Sequence, residues 1–104
     1  MPLITQSEEI KNICQFLSDK EYIAVDTEFL RDRYYYPKLC LVQICWQDKF
    51  YLIDSLAKDI DLAPLWELFR NPKIIKVIHS ARQDIETIFN ITGHTITPVF
   101  DTQI

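Results

Sequence analysis

The run Ala24-Val25-Asp26-Thr27-Glu28-Phe29 holds two carboxylates two positions apart in an otherwise mostly apolar stretch. Side chains alternate along an extended strand, so Asp26 and Glu28 share one face with Ala24, while Val25, Thr27 and Phe29 share the other. Two carboxylates side by side repel each other, and burying either without a partner costs several kcal/mol. A hard divalent cation such as Mg²⁺ or Mn²⁺ relieves both problems, because it prefers carboxylate oxygen. A strand that simply runs out into solvent, with both acids wet, fits the same spacing. The D-x-E string alone does not separate the two.

A third carboxylate narrows the choice. In a helix that starts after Ser80, at about 100° per residue, Asp84 sits at the origin with Ile88 near 40°, Ala81 near 60°, Ile85 near 100° and Ile91 near −20°. Asp84 thus falls inside the apolar stripe, and Gln83, Glu86, Thr87 and Asn90 take the wet side. A carboxylate on the core-facing side needs a compensating charge, which a metal, Arg82 or the helix start itself could supply. Asp26, Glu28 and Asp84 together describe a metal cluster for phosphoryl chemistry. Directly after the acidic strand, Arg31-Asp32-Arg33-Tyr34-Tyr35-Tyr36-Pro37-Lys38 interleaves basic and aromatic residues. Stacking on aromatics and phosphate pairing with Arg or Lys are how single-stranded nucleic acid is gripped, although one or two tyrosines packed in a core would give the same string.

The elements that must position these residues alternate along the chain. Thr5 and Glu8 read as a capping box before a helix over 6–18. A strand follows over 22–29, then two strands, 39–46 and 50–53, joined by the turn Gln47-Asp48-Lys49. Pro64 suits the first turn of a helix carrying Leu65, Leu68 and Phe69. Residues 74–78 read as a strand, and Ser80 with Gln83 as the cap of a helix that runs to Thr92 and stops at Gly93. Val99-Phe100 begins a further strand, and Asp101-Thr102 the start of another helix. This order predicts an α/β fold with a mixed sheet.

With 104 residues, 48% of them hydrophobic and 25% charged, the chain has the composition of one ordinary soluble domain. The net charge of −4 argues against a bulk electrostatic nucleic-acid binder but leaves room for local contacts where metal ions cancel carboxylate charge. The longest mostly apolar run, 39–46, is far short of the roughly 20 residues that cross a bilayer, so no membrane partner is expected. Cys14, Cys40 and Cys45 are odd in number, lack C-x-x-C spacing and sit among apolar residues. They read as buried reduced thiols in a cytoplasmic protein.

Three stretches share a likeness. Asp26-Thr27-Glu28-Phe29, then Tyr35-Tyr36-Pro37 with Leu39, Leu41, Val42 and Gln43, and then His79 with Asp84 five positions on, resemble the first two exonuclease motifs of the ribonuclease D family of DEDD-type 3'-5' exonucleases. Asp101-Thr102-Gln103-Ile104 resembles the family's next segment, and the likeness is collinear from about Leu3 onward. It implies a ribonuclease H-like fold, a mixed β-sheet flanked by helices, and metal-dependent 3'-5' hydrolysis at the 3' ends of single-stranded RNA. Asp26, Glu28 and Asp84 would be three of four catalytic carboxylates holding two Mg²⁺ or Mn²⁺ ions. Thr27, Phe29, Arg33, Tyr35 and Tyr36 would meet the substrate, and His79 matches a family histidine without an assigned role. The family's third motif, with a water-positioning tyrosine and the fourth carboxylate, has no counterpart here, nor has its helical RNA-binding domain. Residues 1–104 are therefore expected to be the amino-terminal portion of the exonuclease domain. The alternative expectation is a catalytically incomplete fragment, acting as a nucleic-acid-binding module or pairing with a complementing carboxy-terminal chain.

Overall fold

The structure, a computed structural model, describes residues 3–30 and 38–103. In chain order its elements are β1 (Leu3–Ile4), α1 (Ser7–Leu17), β2 (Tyr22–Leu30), β3 (Lys38–Trp46), β4 (Lys49–Asp54), α2 (Ala63–Arg70), β5 (Ile75–Ile78), α3 (Ala81–Thr92) and β6 (Val99–Asp101). The strands form one sheet in the order β1-β4-β3-β2-β5-β6. The β2–β3 and β3–β4 pairs are antiparallel and the others parallel. The expected mixed sheet is therefore present. β1 is the element that periodicity missed, since two residues carry no period; Leu3 and Ile4 pair with Leu52 and Ile53.

Connectivity decides where the helices go. The crossovers β1-α1-β2, β4-α2-β5 and β5-α3-β6 all join parallel strands and all move in the same direction across the sheet. Right-handed crossovers then place all three helices on one face. Burial agrees. Ile4, Ile53, Val42, Ile44, Ile23, Val25 and Ile78 share a face by register, and all are buried, together with Ile10, Leu17, Leu65 and Phe69 from the helices. Trp46 on the same face meets Phe16 of α1 edge to face at 5.6 Å. On the opposite face, which carries Leu3, Tyr22, Ala24, Asp26, Cys45, Phe50, Leu52, Ile75, Val77 and Phe100, no residue is buried.

The helix ends depart from the expected caps. α1 starts one residue late, with Gln6 as N-cap and no side-chain capping bond. Ser7 instead ties this end to the chain before α2, donating to Asp59 O at 3.3 Å and accepting from Asp61 N at 2.8 Å. Pro64 does occupy the first turn of α2, and Gly93 closes α3 at φ 75°, the left-handed conformation that glycine adopts at low cost. Ser80 is the N-cap residue of α3 but makes no side-chain capping bond. Asp101, expected to open a helix, closes β6. Of the three free cysteines only Cys14 is buried, its thiol pushed up to about 12 by burial and by nearby Glu67; Cys40 and Cys45 are half-buried. Among the described residues no helix is long and apolar enough to cross a membrane.

Candidate active site

β2 and β5 run parallel with Ala24 opposite Val77, so Asp26 lies at the level where β5 ends and the chain turns through His79 and Ser80 into α3. The acidic end of β2 and the first turn of α3 therefore stand at the same end of the sheet. Asp26 opposes Gln43 and Glu28 opposes Leu41 on β3, and the register then shifts so that Phe29 opposes Leu39. That leaves Cys40 as the extra residue of a bulge beside Glu28, a device that ends regular pairing and re-aims side chains.

Asp26 and Glu28 are both exposed, on the helix-free face, and neither carries an ion pair among the described residues. Thr27 and Phe29 point the other way. The Thr27 hydroxyl is closed off from solvent and has no hydrogen-bond partner among the described residues. Phe29 is half-buried and packs against the core. Asp84 lies in the first turn of α3 and is half-buried. Arg33, Tyr35 and Tyr36 lie outside the described residues.

His79 is exposed, with Nδ1 3.1 Å from the Thr102 hydroxyl. Beside it, the Asp101 carboxylate takes over the capping role expected of Ser80. Its Oδ1 accepts from Ser80 N at 2.9 Å and from Gln103 N at 2.9 Å, and its Oδ2 accepts from Ala81 N at 2.8 Å. The Gln103 N–H first, then those of Ala81 and Ser80, hold the Asp101 carboxyl below the usual carboxylate range, with nearby His79 adding to the effect. Sequence reasoning missed this because the residue is 20 positions from the helix start it caps, and only the β5–β6 pairing brings the two together.

The donor chemistry suits a hard divalent cation: two exposed carboxylates at i and i+2 on one strand face, with no ion pair to either among the described residues. Among the described residues, however, no three His, Cys, Asp or Glu side chains form a group that could hold a metal ion. At this end of the sheet the described residues present the exposed Asp26–Glu28 pair on the helix-free face and a half-buried Asp84 in the first turn of α3.

Comparison with known proteins agrees with this architecture. The chain is 45% identical over 104 residues to the ribonuclease D of Bartonella henselae, and 46% identical over 102 residues to that of Granulibacter bethesdensis. It covers 100% and 98% of itself in these matches but 26% of each relative, so it spans about a quarter of their length. Among solved structures, Escherichia coli RNase D superposes with a TM-score of 0.86 at 37% identity, over 98% of this chain and 27% of that one. The catalytic core of RRP6 from Trypanosoma brucei superposes with a TM-score of 0.87 at 29% identity, over 97% of this chain and 29% of that one. The fold is thus ribonuclease H-like. A family model described as 3'-5' exonuclease matches residues 1–104, the whole of the sequence. With that match added to a mixed sheet whose acidic strand ends beside the start of α3, the chain belongs to the 3'-5' exonuclease family.

Proposed function

We propose that this chain is the amino-terminal portion of a metal-dependent 3'-5' exonuclease domain acting on RNA, with Asp26, Glu28 and Asp84 as its carboxylate set for Mg²⁺ or Mn²⁺. The observation that carries the reading is the Asp26–Glu28 pair, exposed and without a described cation partner at the end of β2, level with the start of the helix bearing Asp84. When bound, such an ion supplies Lewis-acid polarisation of a phosphodiester and a more acidic water. The chain's own residues do the rest. Asp26 and Glu28 bind through oxygens that would otherwise repel a phosphate, so substrate approach depends on their being neutralised. Asp84 adds a third oxygen donor from a separate element. Phe29 packs the strand behind the pair, while Arg33, Tyr35 and Tyr36 supply phosphate pairing and base stacking.

RNA is the favoured substrate because the Escherichia coli relative is an exoribonuclease involved in structured RNA processing. Single-stranded 3' ends are the partner this chemistry needs. Three free cysteines fit a reducing cytoplasm. The test is single-stranded RNA labelled at its 5' end, incubated with Mn²⁺ and a protein that carries this chain as the amino-terminal portion of a complete exonuclease domain. Stepwise shortening from the 3' end is expected, abolished by chelator and by Asp26→Asn with folding retained. Shortening that survives either treatment would overturn the reading.

A further inference from the structure

We propose that Asp101 is a positioning residue for this site: from the end of β6 its carboxylate fixes the start of α3, and with it the place of Asp84 relative to Asp26 and Glu28. The inference rests on the proposed carboxylate set and deepens it.

Packing fixes which face of α3 meets the core: Ala81 and Ile88 are buried, and half-buried Ile85 and Ile91 pack against the same core. How the first turn is entered is settled by the bonds at the helix start. The entry is an unfavourable conformation: Ser80 has φ 56° and ψ 50°, a left-handed geometry that residues with a Cβ adopt only at a cost. Something outside the helix must hold it, and the Ser80 side chain does not. Asp101 does, gathering Ser80 N, Ala81 N and Gln103 N onto one carboxylate at 2.8–2.9 Å. A second clasp lies beside it. Thr102 N donates to Ile78 O at 3.1 Å, and the Thr102 hydroxyl meets His79 Nδ1 at 3.1 Å. Successive residues of the β6 exit thereby grip successive residues of the β5–α3 junction.

Asp84 follows three residues after Ala81, within the first turn, so any rotation or fraying of that turn moves it directly. The same bonds have a second consequence. The positive amino-terminal end of α3, which could otherwise attract a phosphate, is already satisfied by a protein carboxylate. Asp101 therefore supports the site without being a ligand in it, much as hydrogen-bonded outer groups orient metal ligands elsewhere.

The experiment measures Mn²⁺ binding by the 104-residue chain, from the loss of the free-ion paramagnetic resonance signal, alongside amide hydrogen exchange and thermal melting. Asp101→Ala is expected to speed exchange at Ser80, Ala81 and Gln103 and to weaken Mn²⁺ binding by about tenfold or more. Asp101→Asn, which keeps one acceptor oxygen, is expected to fall between Asp101→Ala and the unsubstituted chain, and it carries the comparison if circular dichroism shows Asp101→Ala unfolded. Asp61→Ala is the control: it removes the Asp61 Oδ1 bond to Ala63 N, 3.0 Å, at the start of α2, and should leave Mn²⁺ affinity unchanged. Mn²⁺ affinity lost in Asp84→Asn but kept in the Asp101 variants overturns the positioning role while leaving the site intact. Equal affinity in the unsubstituted chain and Asp84→Asn overturns the carboxylate set, and the role of Asp101 toward it falls as well.

Discussion

Two opposite electrostatic problems sit on neighbouring strands. Asp26 and Glu28 leave negative charge in water with no described cation beside it, whereas Lys76 of β5 is fully buried. Its Nζ donates to Asn71 O at 2.7 Å and to Thr97 O at 3.0 Å, tying the turn after α2 to the segment that leads into β6. Burial pulls the Lys76 amine down from its usual 10.5 to about 8. Below pH 8 both folded and unfolded chains carry this proton, and the folded chain bears the cost of a buried charge in full. Between about 8 and 10.5 the unfolded chain still binds the proton and the folded chain has released it, so stability rises with pH. Relative to Lys76→Met, the melting temperature should therefore climb from pH 7.5 to 10, a gain on the order of 3 kcal/mol at about 1.4 kcal/mol per pH unit. A difference independent of pH would mean that Lys76 stays charged, with its two carbonyl partners offsetting the burial.

Among the elements, period and connectivity divide the information between them. The 2-residue alternation of β2 and the 3.6-residue repeat of α1 and α3 are local, so strands, helices and the separation of Asp26 and Glu28 from Thr27 could be read directly from residue order. What could not be read depends on partners distant in the chain. β1 is too short to show a period and exists because β4 accepts it. The cap of α3 comes from β6, and the buried cation of β5 is held by carbonyls 5 and 21 residues away. The two faces of the sheet also look alike in composition, because isoleucines occur on both. Ile23 is fully buried under the helices, while Ile75, on the neighbouring strand, is 46% exposed on the opposite face. The crossover rule separates them and makes a sharp expectation. Ile23→Ala should cost about 2–5 kcal/mol in urea unfolding, and Ile75→Ala no more than about 0.5 kcal/mol. Similar losses at both positions would contradict helices packed on one face only.

Taken whole, the molecule has a radius of gyration of 13.0 Å, close to the roughly 13 Å of a compact domain of about 100 residues. Compactness is therefore reached with one face of the sheet left open. That face shows Phe100 62% exposed, Phe50 53% and Tyr22 52%, an unusual apolar display for a monomer. Asp26 and Glu28 lie in the same plane, where their charge breaks the apolar surface much as charged residues on exposed strands discourage adhesion. Phe50 and Phe100 lie on β4 and β6, on either side of the acidic strand; on this face β4 adds only a half-buried Asp54 at its far end and β6 no charge. The 104-residue chain should consequently enhance the fluorescence of anilinonaphthalene sulfonate and self-associate with rising concentration in sedimentation velocity. Phe50→Glu with Phe100→Glu should suppress both while leaving the melting temperature nearly unchanged, since neither ring contributes to the buried core. A monodisperse monomer with no dye response would show that half-buried Ala24, Cys45, Leu52 and Val77 are covered well enough without a partner, and that the acidic pair needs no neighbour packed beside it.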